Sequence, residues 1–147
     1  MRLTQYTDLG LRLLIYLAST PGQSASLGEI ADAYGVSKAH LKKAAQAMAA
    51  NGLLETRRGK SGGIKLIRDP ATVVIGSVVR LLEPDMHLVE CMRPNNECVI
   101  TPVCRLRRVV HEVRAAALKA FDSYTLADIV GEPEQVAQLR ELLDISP

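Results

Sequence analysis

The sequence contains no tryptophan, one phenylalanine and four tyrosines. A core without large rings must be aliphatic, and a hydrophobic content of 48% supplies enough Leu, Val, Ile and Ala to build one. That composition favours helices over a β-sandwich. No apolar run approaches the ~18 residues of a membrane span. The most apolar stretch, residues 71–82, is short and holds Arg80. The first eight residues lack an apolar signal core and include Asp8, so a cytoplasmic chain with no membrane partner is expected. Cysteine is sparse and odd in number, at three. Full internal pairing is excluded, and in a reducing compartment thiols serve metals or redox chemistry more often than disulfides. There is no phosphate-binding loop, nucleophile elbow or paired-carboxylate site, so the chain is not expected to be an enzyme. Its 147 residues fit one domain, or one small domain with an arm.

What is present is unevenly spread. Residues 1–70 carry ten Lys and Arg against five Asp and Glu, whereas residues 71–147 carry eight against eleven. A basic half of this kind suits a polyanion partner.

Helical spacing of Leu9, Leu13, Tyr16 and Leu17 predicts a helix over 3–18, stopped by Thr20-Pro21-Gly22. Asp8 and Arg12 share a face of it. Ser26 with Glu29 forms a capping box for a short helix ending at Gly35. Ser37 then caps a helix over 38–50, closed by Asn51-Gly52. Helix, three-residue turn, helix is the form of a helix-turn-helix. A β-hairpin follows, with strands at 53–57 and 64–67 around Gly59-Lys60-Ser61-Gly62-Gly63. The expected fold is therefore mainly α: a winged helix-turn-helix with a small hairpin wing, and a long C-terminal dimerisation helix over 105–123. The remaining predictions are a helix over 71–82 and short helices at 125–130 and 133–143. The domain reading is 1–83 for the winged head, 84–104 for a cysteine-bearing loop, and 105–147 for the dimerisation helix and tail.

In this arrangement Ser37, Lys38, His40, Lys42 and Lys43 are placed to meet base edges and phosphates in a major groove of double-stranded DNA. Arg57, Arg58 and Lys60 would lie beside or in the minor groove, where narrow A·T segments attract guanidinium groups. The alternative is an ordinary solvated face.

The cysteines are spaced Cys91-x6-Cys98-x5-Cys104, with no pair at the x2 to x4 separation usual for zinc. Long intervals that contain Pro let a loop wrap a larger object such as an iron–sulfur cluster. Arg93, Arg105, Arg107 and Arg108 would offset its negative charge. Three inert buried thiols are the alternative. A fourth donor is open among His87, His111 and an oxygen ligand such as Asp8; His111 lies about 10 Å along a helix from Cys104 and is expected to point away.

Several segments together resemble the winged-helix iron–sulfur transcription regulators of the IscR/NsrR type, and most of all their nitric-oxide-sensing repressors. They are the opening Leu3 to Arg12, the stretch Val36 to Leu41, the wing Arg57 to Ile64, His87 to Cys91, Cys98 to Leu106, and Tyr124 to Asp128. The likeness covers roughly residues 1–130. It implies a DNA-binding repressor whose cluster, 4Fe–4S rather than 2Fe–2S, is held by Cys91, Cys98 and Cys104. Some relatives take a fourth ligand from a His three residues after the last Cys, but Arg107 stands there. Others use an Asp at the start of the first helix, donated across a homodimer, and Asp8 matches, with Arg12 placed to hold its carboxylate. A pseudo-palindromic operator and nitric oxide as signal are implied. The alternatives are an iron, cluster-status or redox sensor of the same fold, an electron-transfer protein without DNA binding, and a DNA-binding protein without a cluster.

Overall fold

The computed structural model describes residues 2–57 and 62–146. Seven α-helices are formed among them: α1 Gln5–Ser19, α2 Leu27–Tyr34, α3 Lys38–Ala50, α4 Ile75–Leu82, α5 Leu106–Asp122, α6 Leu126–Val130 and α7 Pro133–Leu142. Three short strands, β1 Ser24–Ala25, β2 Leu54–Arg57 and β3 Gly63–Leu66, make an antiparallel sheet in the order β1-β3-β2.

The helix starts follow local chemistry. Thr4 caps α1 by accepting the Thr7 amide. Ser26 and Glu29 form the predicted reciprocal box at α2, and the Ser26 backbone and hydroxyl bonds hold the Glu29 carboxyl below its ordinary range. Gly35 ends α2 in the left-handed region, at φ 61°. Ser37 occupies the cap position of α3, but its hydroxyl makes no capping bond, contrary to expectation.

The core is one aliphatic cluster under α1. Leu9, Leu13, Leu14 and Leu17 pack with Ile30 of α2, Leu41 and Met48 of α3, and Val78, Val79 and Leu82 of α4. Burying an aliphatic side chain of this size contributes roughly 1.5–3 kcal/mol, which offsets chain ordering. Helices α1, α2 and α3 with the hairpin β2–β3 constitute a winged helix-turn-helix. In the hairpin, Leu54 faces Leu66 and Arg57 faces Gly63, so Leu54, Ile64 and Leu66 turn inward.

One expectation changes and two features are added. The two-residue β1 was not foreseen; it pairs Ser24 with Lys65 and Ala25 with Ile64. A side chain at Gly63 would put Cβ 2.7 Å from the Ala25 carbonyl oxygen, so only Gly allows that approach. The helix expected over 71–82 is delayed to Ile75. Val73 and Val74 are drawn into extended backbone by a bridge from Val74 to Thr125, with the Leu126 amide bonded to the Val73 carbonyl. The tail also packs inward: Leu143 and Ile145 are buried, and Arg140 Nε donates to the Ser19 carbonyl at 2.6 Å.

Candidate nucleic-acid interface and cysteine loop

The sequence KAHLKKAAQAMAA divides α3 cleanly. Leu41, Ala44, Ala45 and Met48 are buried, while Lys38, His40, Lys42 and Lys43 are exposed. Ser37 is exposed at the head of the same face. The helix carries no acid, and no side chain caps its first turn. Its orphan amides and its positive end therefore add to the lysines as an attraction for phosphate.

Between α3 and the wing runs a groove of about 460 Å³, lined among others by Lys38, Lys42, Gln46 and Arg57. The structure thus brings Arg57 beside α3, where its guanidinium also lies 3.4 Å from Glu55 on the same strand. Arg68 does not join it: its Nε donates to the Gly52 carbonyl at 3.0 Å. Arg58 and Lys60, expected at the wing tip, lie outside the described residues.

The second region is the segment after α4. Cys91, Cys98 and Cys104 are free thiols, each half-buried. Short local contacts shape the segment. Asp85 accepts the His87 amide at 2.7 Å, sits 2.7 Å from His87 Nδ1 and pairs with Arg93 at 2.8 Å. The His87 amide bond and, after it, Arg93 hold the Asp85 carboxyl below its usual value. A turn Glu90–Met92 carries Cys91 and buries Met92. The Thr101 hydroxyl lies 2.7 Å from both Asn96 Oδ1 and the Cys98 carbonyl.

Within the single chain, no three His, Cys, Asp or Glu side chains gather as a metal site among the described residues. Asp8 pairs with Arg12 at 2.9 Å, and Arg12 also lies over the Tyr34 ring at 5.8 Å. Burial pushes the Tyr34 phenol up to about 12, and its hydroxyl donates to the Arg12 carbonyl at 3.1 Å. Cys104 and His111 line the same open surface depression, with Arg107 and Arg108.

Residues 3–132 match the family described as Rrf2, iron-dependent transcriptional regulators. The HTH-type transcriptional regulator NsrR of Bacillus subtilis is 44% identical over 144 residues, covering 97% of this chain and 99% of that one. Its namesake in Geobacillus kaustophilus is 46% identical over 145 residues, covering 97% of both. The chain belongs to the Rrf2 family. Solved Rrf2-type structures agree with its fold. CymR, titled the global cysteine regulator of B. subtilis, superposes with a TM-score of 0.69 at 27% identity, over 88% of this chain and 95% of that one. The IscR of T. potens superposes at 0.68 and 24% identity, over 88% and 86%, a likeness in fold alone.

As an Rrf2 protein the chain is a DNA-binding transcription regulator. The match to 132 also takes in the cysteine segment and α5. No described helix is long and apolar enough to cross a membrane.

The contacts of four residues near the α3 surface escaped sequence reasoning. Glu83 is buried and accepts bonds from Thr4 and Thr7, and Tyr6 donates to the Lys43 carbonyl of α3 at 3.4 Å. The one available signal was an acid between the apolar end of a helix and a proline, Leu82-Glu83-Pro84, a place where exposure is the ordinary expectation.

Proposed function

We infer that this Rrf2 chain is a homodimeric, non-enzymatic repressor of the cytoplasm that occupies a pseudo-palindromic operator while an iron–sulfur cluster is bound, and that nitric oxide is its signal. The observation that carries this reading is the presence, in one chain, of an acid-free basic recognition face and a separate segment holding all three thiols, none in a disulfide. Relatives named NsrR at 44% and 46% identity along nearly the whole chain favour nitric oxide over the other signals.

The division of labour is 1–83 for DNA, 84–104 for the cluster and, within 105–147, the helix α5 for dimerisation, while the tail beyond it packs back on the head. The donor set suits the group: three soft thiolates, which such clusters require. Arg105, Arg107 and Arg108 follow directly and offset the charge that thiolates bring. On the family likeness a fourth donor comes from a second subunit, and the partner subunit's Asp8 is the assignment. Arg12, already 2.9 Å from Asp8, orients that carboxylate. Both cluster types take four protein ligands, so 4Fe–4S is chosen over 2Fe–2S on the family likeness alone.

When bound, the cluster supplies iron that reacts with nitric oxide. The chain's own part is mechanical. Cys91, Cys98 and Cys104 tie the loop to one point, and Asp8 ties the opposite head to it. Losing that point frees the two heads to change their relative placement, and with it the half-site spacing that Lys38, His40, Lys42, Lys43, Arg57, Arg58 and Lys60 can reach. Coupling follows only if the cluster favours one arrangement over the other.

The test is anaerobic reconstitution with iron and sulfide, an absorption spectrum, and nitric oxide titration in a DNA-shift assay. A coloured holo-protein that releases its operator on nitrosylation supports the reading. A colourless preparation, or equal DNA binding before and after nitric oxide, overturns it; release by oxygen or chelator but not by nitric oxide selects the redox or iron sensor instead.

A further inference from the structure

The first turn of α1 touches the two regions that a sensor of this kind must connect. On one side is Glu83, the C-terminal cap of α4 and the last residue before the segment 84–104. It is 8% exposed. Its Oε2 accepts the Thr4 amide at 2.9 Å, the Thr4 hydroxyl at 3.1 Å and the Thr7 hydroxyl at 2.7 Å. Thr7 is fully buried. All these donors lie at the start of α1, and Asp8 is the next residue, its amide closing on the Thr4 carbonyl at 3.0 Å.

On the other side is the recognition helix. The Tyr6 hydroxyl donates to the Lys43 carbonyl. Gly10 is wedged between α4 and α3: a Cβ there would lie 2.2 Å from Leu82 Cδ1 and 3.6 Å from Ala44 Cβ. Glu83, the α1 turn and α3 are thus in direct succession, with no intervening loop to absorb a displacement.

A buried carboxylate is costly, and an apolar side chain would hold α1 against α4 more cheaply. What the carboxylate adds is direction. It accepts only from donors in fixed positions, so it sets the register of α1 against α4 where aliphatic packing alone would let the helices slide. We propose that Glu83 is a positioning residue that locks the root of the cysteine loop to the first turn of α1 and through it conveys the state of the loop to α3. This rests on the reading of the loop as the sensor.

Thr7→Val is the decisive variant, since it keeps the shape and removes the shortest bond. Glu83→Gln is the conservative partner, because its carboxamide oxygen still accepts. Arg140→Ala is the control, loosening the far end of the same helix at Ser19. In metal-free full-length protein, hydrogen exchange in Thr7→Val is expected to quicken about three-fold or more in both residues 84–90 and residues 42–48. Glu83→Gln shows the same pattern more weakly, and Arg140→Ala spares both segments. The ratio of operator affinities between iron–sulfur-loaded and metal-free protein then moves toward one in Thr7→Val, by about three-fold, while the cluster absorbance is retained. Exchange in 42–48 no faster in Thr7→Val than in Arg140→Ala overturns the proposal, as does faster exchange with the affinity ratio of the unaltered protein. An unaltered protein that takes up no iron and sulfide overturns the cluster reading instead, and the metal-free exchange still decides the lock.

Discussion

The two longest helices of this chain are opposites. α1 has fifteen residues, of which eight are buried; α5 has seventeen and buries none. Both have an apolar stripe. That of α1, with Leu9, Leu13, Leu14 and Leu17, is covered chiefly by α3, α4 and α6. That of α5 leaves Leu106, Val109 and Val113 between 49% and 60% exposed, and it runs back into the cysteine segment through Val99, Ile100 and Val103. The head completes its core within one chain, and the arm does not. A helix with an uncovered stripe is stabilised only when something packs on it. In the dimer proposed above that cover is a second copy, which places the thiols at the edge of the shared surface.

Truncations at matched sites test this contrast most severely. Leu14→Ala, in the head, is expected to lower unfolding stability by about 2–5 kcal/mol, read from urea transitions. Val113→Ala is expected to cost the folded protomer under about 0.5 kcal/mol while weakening self-association in sedimentation. Equal losses at the two sites would mean that α5 is already packed in the monomer. Gly10→Ala comes next. Its Cβ would sit 2.2 Å from Leu82 Cδ1, so the α1–α4 contact must open, at about 1–3 kcal/mol for overpacking. A second change, Leu82→Val, should recover part of that loss, and no recovery would place the strain elsewhere.

The same comparison has an electrostatic form, since both halves carry basic clusters. Lys42→Ala is expected to weaken operator binding about ten-fold and to reduce the salt slope by about one. Arg107→Ala, on the arm, should leave that slope unaltered. Anisotropy titrations over a range of salt decide it, and equal slope changes would move the DNA surface off α3.

Local patterns were legible in advance, and long-range pairings were not. The bounds of α3, the Ser26–Glu29 box and the extent of α5 follow from caps and periodicity within a few residues of each element. The delayed start of α4 depends on Thr125, some fifty positions away, and β1 is two residues that become a strand only beside β3. Glu83 finds its donors more than seventy positions earlier, where no local pattern announces them. The exposed lysine face of α3 was readable because exposure alternates with burial along one helix. The cysteines were readable as three thiols in one segment, but among the described residues the chain draws no three possible donors together, so spacing alone could not supply a site geometry.

The smallest effect concerns how the arm is joined to the head. Arg80 of α4 makes a two-pronged pair with Asp122 at the end of α5, both contacts at 2.6 Å. Arg80 holds the Asp122 carboxyl below its ordinary 3.8. A carboxyl depressed in the folded state contributes stability that is present above its unfolded value and is lost as the pH falls through its folded one. The thermal midpoint of the unaltered protein should therefore exceed that of Asp122→Asn by a constant margin from about pH 7 to about pH 5, and the gap should close below about pH 3.8. Both partners are solvent-exposed, so the margin should be small and shrink with added salt. A gap that persists in acid would assign the effect of Asp122 to packing against Gly76, where a Cβ would meet its Oδ1, and not to the charge. The junction would then be set by shape, as the core of the head is.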